Sequence, residues 1–252
     1  MQAGAIELEK LKVILTRPSE KYYPVRSRNC FEYVNIPLTK IVPGSSIDGI
    51  IREIMIYGPR YIVFTSTIGS DLFFSHYTEP VPDHVFIAIG SQTLNSIRNH
   101  GYDGLKPARM DSSGLGNLIA GLVKKGERVA LLRSNRSSKE LPEILKSRGI
   151  DFMEFTIYSI VELEDNRLEN FILENHVFGI LVSSSMEAEI LAKTCGNAIK
   201  SRNIILFPIG TPTEKTLISA GFHNIGLKGE SSVDNLIKDI EKEYCNNSGE
   251  WI

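Results

Sequence analysis

The sequence predicts an α/β protein of two similar domains, each a parallel sheet flanked by helices, joined by a two-stranded linker. Three observations predict it. Short runs rich in Val, Ile and Phe alternate along the chain with segments of three-and-four apolar spacing. A pattern recurs: Phe86-Ile87-Ala88-Ile89-Gly90-Ser91-Gln92-Thr93 and Leu206-Phe207-Pro208-Ile209-Gly210-Thr211-Pro212-Thr213, each followed by a helical stretch ending at Gly101-Tyr102 or Gly221-Phe222. The neighbours of the repeat are permuted. Lys12-Val13-Ile14-Leu15-Thr16-Arg17 precedes everything else in one copy, whereas Arg128-Val129-Ala130-Leu131-Leu132-Arg133 follows the Gly-x-x-Thr turn in the other.

The strands are expected at residues 12–16, 61–65, 85–89, 129–132, 178–182 and 204–209. They are short and continuously apolar, which suits parallel strands covered on both faces. Between them, Ile47-Ile50-Ile51-Ile54, Leu115-Leu118-Ile119-Leu122, Ile144-Leu145 and Val233-Leu236-Ile237-Ile240 carry helical spacing. Ser45-Ser46, Ser112-Ser113, Ser137-Ser138 and Ser231-Ser232 are expected to cap helices.

The permuted order is satisfied if one domain is inserted in the other. Residues 1–34 with 164–252 form the first, residues 38–157 the second, and linkers lie at about 35–37 and 158–163. The extended segments 33–43 and 155–163 are β-branched or alternating, so they are expected to pair as a short hinge ladder.

Composition bounds the function. A chain of 252 residues with 42% hydrophobic residues, 23% charged residues and net charge −2 is an ordinary globular one. The near-neutral balance excludes a general nucleic-acid binder. No apolar run reaches membrane-spanning length, and residues 1–12 lack the apolar stretch of a signal peptide. Cys30, Cys195 and Cys245 are sparse and odd in number, which reads as reduced thiols in a cytoplasmic protein. Neither they nor His76, His84, His100, His176 and His223 show metal-ligand spacing, so no metal is expected. Gly114-Leu115-Gly116 lacks the third glycine of a dinucleotide fingerprint, and there is no Gly-Lys-Ser/Thr phosphate loop. Asn246-Asn247-Ser248 is read as a chance glycosylation match.

The informative chemistry is at the turns. A strand delivering Gly-x-x-Thr into a helix start presents unpaired backbone N–H groups and the positive end of the helix dipole, an anion-binding design. Gly90, Ser91 and Thr93, with Gly210, Thr211 and Thr213, are therefore candidate ligand contacts. Ile62-Val63-Phe64-Thr65-Ser66-Thr67 and Ile180-Leu181-Val182-Ser183-Ser184-Ser185 both end in a hydroxyl cluster, adding Thr65, Ser66, Thr67, Ser184 and Ser185. Each hydroxyl has a plainer role available, capping its own helix. Arg17 and Arg133 stand at equivalent strand ends, where carboxylate pairing is expected.

Taken in order over roughly residues 12–240, these motifs resemble uroporphyrinogen-III synthase. The resemblance rests on Val13-Ile14-Leu15-Thr16-Arg17-Pro18, Val63-Phe64-Thr65-Ser66 and the two Ile-Gly-x-x-Thr turns. It continues through Arg128-Val129-Ala130-Leu131-Leu132-Arg133, the Leu-x-x-x-Leu helix, Gly149 and Tyr158. It implies a cofactor-independent, monomeric enzyme of tetrapyrrole biosynthesis with two α/β domains. The implied reaction takes linear hydroxymethylbilane, expels its hydroxyl as water, closes the macrocycle and inverts ring D through an azafulvenium-type cation. Hydroxymethylbilane is thus the expected partner, handed over transiently by hydroxymethylbilane synthase, with neither nucleic acid nor membrane involved.

The resemblance also implies that Tyr158 lies near the cleft and assists departure of the hydroxyl. A phenol is protonated at neutral pH and can donate to a leaving oxygen. The family's Ser-Pro-Ser ending is missing: Ser66-Thr67-Ile68 and Ser184-Ser185-Met186 stand in its place. The duplicated turns by themselves would equally serve a non-catalytic two-domain binding or sensing module for a small polycarboxylate ligand.

Overall fold

A computed structural model describes residues 10–22, 24–25, 30–78, 83–230 and 232–245. Along the chain run β1 (Leu11–Leu15), β2 (Phe31–Asn35), β3 (Thr39–Pro43), α1 (Ile47–Tyr57), β4 (Tyr61–Phe64) and α2 (Thr67–Phe74). Then follow β5 (Val85–Ala88), α3 (Ser91–Asn99), α4 (Ser112–Leu122), β6 (Arg128–Ser134), α5 (Glu140–Ser147) and β7 (Asp151–Glu162). The remainder is α6 (Arg167–Glu174), β8 (Val177–Val182), α7 (Ser185–Ser201), β9 (Ile205–Pro208), α8 (Gly210–Ser219) and α9 (Val233–Tyr244). The chain divides into two compact units. Unit 1 takes the described residues up to Lys40 and from Val161 onward; unit 2 is Ile41–Ile160.

Unit 1 carries a four-stranded sheet in the order β2-β1-β8-β9. All three ladders are parallel, with Leu15 opposite both Asn35 and Leu181. Val13, Ile14, Ile180, Leu181, Val182 and Phe207 have essentially no exposed surface. Helices cover both faces, which is why these strands read as continuous apolar runs rather than alternating ones. One face packs with α7 residues such as Leu191 and Ile199, the other with Leu236, Ile237 and Ile240 of α9. Each such side chain, fully buried, contributes about 1.5–3 kcal/mol relative to exposure.

Unit 2 carries the order β3-β7-β6-β4-β5, with β4, β5, β6 and β7 parallel to one another. Phe64 lies opposite Ala88 on one side and Leu132 on the other. Its core is aromatic: Phe64, Phe73, Phe74, Tyr77, Phe86 and Tyr102 pack ring against ring, with centroids at 4.8–6.3 Å.

The repeated Gly-aromatic pair has a definite job in both units. Gly101 (φ 88°) and Gly221 (φ 78°) end α3 and α8 in the left-handed region, where Cβ would be strained. Tyr102 and Phe222 then fold back onto the cores. The chain next pairs with the outer strand: Ala88 N donates to Leu105 O, and Leu206 N to Asn224 O, each 2.8–2.9 Å. The edges of β5 and β9 are thereby covered.

Four expectations are corrected. Residues 33–35 belong to β2, the outer strand of unit 1's sheet, because Phe31 and Tyr33 bury against Leu15 and α9. The pairing expected of segments 33–43 and 155–163 is present, β3 lying beside β7 with Leu163 N donating to Leu38 O and Gly44 N to Ile157 O, but residues 155–162 are the second half of one long strand, β7, rather than a linker of their own. Ser46 and Ser232 cap their helices, but α4 is capped by the Asp111 carboxylate on Gly114 N, and Ser137 Oγ accepts from Ser134 N instead of capping α5. Ser231, Asn246, Asn247 and Ser248 lie outside the described residues, as do residues 1–9.

The fourth concerns the thiols. Cys30 and Cys245 form a disulfide joining the start of β2 to the end of α9, so only Cys195 is free. Cys195 lies on the buried face of α7, and burial pushes its thiol above the usual range.

Candidate active site

Open parallel sheets bind ligands beyond the carboxyl ends of their strands, where successive crossovers leave in opposite directions. In unit 2 that point lies between β4 and β6, since β4 leads to β5 on one side and β6 to β7 on the other. In unit 1 it lies between β1 and β8. Both are marked by hydroxyl side chains at the starts of helices.

In unit 2, Ser66 leaves the end of β4 in an extended conformation, and its Oγ accepts from Gly69 N at 3.1 Å, capping α2. Thr65 Oγ1 donates to Leu132 O of the neighbouring strand at 3.2 Å. Tyr158 comes in from β7. The β6–β7 register shifts at Arg133/Ser134, so Tyr158 rather than Ile157 stands opposite Ser134. Such bulges re-aim side chains at functional sites. The Tyr158 phenol, in a side chain only 4% exposed, donates to Ser66 Oγ at 3.1 Å. Thr67 opens α2 and is half-buried.

The start of α3 is built differently. Gly90 has extended backbone, and the Met110 thioether lies over it: Ser91 N and Ser91 Oγ both reach Met110 Sδ at 3.4 Å. Sulfur is a weak acceptor. Thr93 is buried, so its side chain faces the unit's interior.

Arg133 is 6% exposed. Its guanidinium forms an ion pair with Glu154 of β7 and donates to Ser138 O, while Nε stays buried and unpartnered. It borders a groove of about 580 Å³ together with Lys139, Lys146 and Glu143.

In unit 1, Ser184 caps α7 by accepting from Glu187 N at 3.2 Å, and Ser185 follows as its first residue. Gly210 opens α8 with φ 77°, unlike Gly90, and its N–H donates to Gly229 O at 2.8 Å. Thr211 is exposed and Thr213 buried. Arg17 follows β1 and is half-buried; its carbonyl accepts from Asn35 Nδ2. The two Gly-x-x-Thr turns thus share sequence and position but not backbone geometry.

Glu187 is the group that sequence reasoning missed. It is 3% exposed at the first turn of α7. Its carboxyl accepts from Thr16 Oγ1 at 2.7 Å, Ser183 N at 2.9 Å and Ser183 Oγ at 2.8 Å. Burial pushes this carboxyl above the usual range, opposed by those hydrogen bonds and least by Lys21. Burial also lowers Lys21, with Arg17 lowering it further. The pattern Ser184-x-x-Glu187 is a capping-box sequence, which is the signal that could have found it.

A family model described as Uroporphyrinogen-III synthase HemD matches residues 25–238. The chain belongs to this family. It is therefore an enzyme that cyclises hydroxymethylbilane in tetrapyrrole biosynthesis. The fold agrees. The uroporphyrinogen-III synthetase of Helicobacter pylori superposes with a TM-score of 0.60 at 16% identity, covering 92% of this chain and 99% of that one. A mutant uroporphyrinogen III synthase from the extremely thermophilic bacterium Thermus thermophilus gives 0.55 at 14% identity, covering 92% and 98%. Among the described residues no helix is long and apolar enough to cross a membrane.

Proposed function

We propose that the carboxyl ends of the parallel strands in each unit handle hydroxymethylbilane during its conversion to uroporphyrinogen III, and that Tyr158 is the donor that assists the leaving hydroxyl. The observation that carries this reading is the Tyr158–Ser66 hydrogen bond beside the β4/β6 crossover point. The terminal C–O bond breaks with its electron pair on oxygen, which leaves as water after gaining a proton. The pyrrole nitrogen supplies the electrons, so an azafulvenium cation results and the protein needs no nucleophile. What it supplies is restraint of a flexible chain, on the order of several kcal/mol of the barrier.

The substrate's carboxylates are taken by the first turns of α2, α3, α7 and α8, through Thr65, Ser66, Thr67, Gly90, Ser91, Thr93, Ser184, Ser185, Gly210, Thr211 and Thr213, of which Thr93 and Thr213, with their side chains buried, offer only backbone amides. Arg17 and Arg133 add positive charge. Arg133's charge is offset by its ion pair with Glu154, so a substrate carboxylate reaches it only by competing with that pair. The chain acts as a monomer in two domains, 1–34 with 164–252 and 38–157, receiving its substrate from hydroxymethylbilane synthase; a cytoplasmic location is supported by its enzyme family and no longer by its thiols, since Cys30 and Cys245 are bonded. No observation favours a non-catalytic binding module. The test is a coupled assay with freshly generated hydroxymethylbilane. Formation of the III isomer above the spontaneous I isomer is expected; only the I isomer would defeat the reading.

A further inference from the structure

Past the register shift at Arg133/Ser134, β7 outruns the strand beside it. β6 ends at Ser134, opposite Tyr158, while β7 continues to Glu162. In an extended strand the N–H and C=O of one residue point to the same side, and successive residues alternate. Ile157 O accepts from Gly44 N on the β3 side, so Tyr158 and Ile160 turn their backbone groups to the β6 side. There β6 supplies no residue to meet Ile160.

A side chain closes the gap. Asn135, the residue after β6, donates from its backbone N to Tyr158 O at 3.4 Å. Its carboxamide Oδ1 accepts from Ile160 N at 2.9 Å, and its Nδ2 donates to Ile160 O at 3.4 Å. A carboxamide carries the donor and the acceptor of a peptide group, so it stands in for the next rung of the ladder. A carboxylate could answer only the N–H, and an ammonium only the carbonyl. The turn that presents Asn135 is itself bonded across: Ser137 N donates to Ser134 O, and Ser134 N to Ser137 Oγ. Ile160 in turn packs on unit 2's core and is that unit's last residue.

We propose that Asn135 is a positioning residue for the reaction: by clasping β7 at Tyr158 O and at both backbone groups of Ile160, it fixes the strand that aims the Tyr158 phenol. This rests on Tyr158 being the donor proposed above. Tyr158 stands just after the register shift, where the regular β6–β7 ladder ends, so the course of its backbone depends on what holds the strand next. The Asn135 bonds are what hold it on the β6 side, all within unit 2. A donor displaced by about 1 Å can lose about a hundredfold in rate.

The experiment measures kcat and KM for the III isomer in Asn135→Ala, Tyr158→Phe and the double variant, with hydrogen exchange at the Ile160 amide and melting followed by circular dichroism. Expected in Asn135→Ala are faster exchange at Ile160, a kcat lower by about tenfold and a KM within about twofold. In the Tyr158→Phe background the same substitution should lower kcat by less than about twofold, because the donor it positions is already gone. A purely structural asparagine would lower the melting temperature and cost the same factor in both backgrounds. That result, or an unchanged kcat in Asn135→Ala, overturns the proposal while the role of Tyr158 stands. Should Asn135→Ala fail to fold, Asn135→Asp keeps the acceptor for Ile160 N, loses the donor to Ile160 O, and goes through the same cycle with the same outcomes. An unchanged kcat in Tyr158→Phe overturns the role of Tyr158 and this proposal with it. Absence of the III isomer from the unaltered chain overturns the enzyme reading as well.

Discussion

Tyr158 and Ser66 are ninety-two residues apart in sequence and joined by a 3.1 Å hydrogen bond at the carboxyl end of unit 2's sheet. Ser66 is also the cap of α2, so one oxygen serves the helix and the phenol together. Tyr158→Phe removes the donor and keeps the ring beside Gly69. The expected loss of stability is about 1 kcal/mol, and the expected fall in kcat is about tenfold to a hundredfold, the low end of what a positioned donor supplies. The III-to-I isomer ratio checks it, and unchanged turnover would remove Tyr158 from the chemistry. Ser66→Ala should cost about 1 kcal/mol through the lost cap, with coupling to Tyr158→Phe measurable in a double-mutant cycle.

Arg133 gives a prediction that separates structure from binding. Its guanidinium is buried and split between Glu154 and the Ser138 carbonyl. Glu154→Gln weakens the pair while keeping the shape, and leaves a buried cation with less compensation. A loss of about 1–3 kcal/mol in urea denaturation is expected. Arg133→Lys should not rescue function, because an ammonium cannot span both acceptors as the planar fork does. A wild-type KM and kcat in Arg133→Lys would show that no substrate group depends on this side chain.

The class of the fold was legible because its cause is local. Strands with both faces covered must be apolar throughout, and the runs at β1, β4, β6 and β8 have that composition. The Gly-x-x-Thr turns were visible as a repeat, but not the difference between them: Gly210 is left-handed and Gly90 extended, a choice set by the Gly229 carbonyl and by Met110. β2 escaped notice because Phe31-Glu32-Tyr33-Val34-Asn35 alternates, as a strand at the edge of a sheet does, and so resembled a crossing segment. Glu187 was hidden for a related reason. A glutamate in a first turn usually faces water, and only the parallel placement of β1 beside β8 brings Thr16 over it.

Glu187 also makes stability depend on pH. Burial raises its folded-state pKa above the ordinary 4.5, so the folded chain holds this proton more tightly than the unfolded one. The contribution is fully present below that ordinary value and is lost as pH rises through the raised one. Above it the fold carries a desolvated charge. Glu187→Gln is neutral throughout, so the stability of the unaltered chain minus that of the variant should decline as pH rises from the ordinary carboxylate range through the raised pKa. Asp103, Asp111, Glu127 and Asp165 have the opposite sense: hydrogen bonds from Gly104, Gly114 and Lys124 amides and from Arg167 hold them low. They are common to both chains and cancel in the difference. A flat difference would mean that Glu187 titrates alike in both states.

The disulfide closes nearly the whole chain. Cys30 and Cys245 are 215 residues apart, and between them lie both sheets save for β1. Loop closure on that scale removes entropy from the unfolded chain worth about 5 kcal/mol as an upper figure. In the folded chain the bond fixes the last turn of α9, whose Leu236, Ile237 and Ile240 already pack on β1, β2 and Phe207. Reduction should therefore lower the urea midpoint while leaving α9 in place, since its apolar face still docks. Cys245→Ser should reproduce that loss and abolish the response to reductant. Because Cys195 is the one other thiol and is buried, thiol titration of the native chain without reductant should find it unreactive. Labelling of two further cysteines after reduction, accompanied by the lower midpoint, is the expected result. Two fast-reacting thiols in the untreated chain would mean that the bond is open under those conditions, and the denaturation midpoint would then be insensitive to reductant.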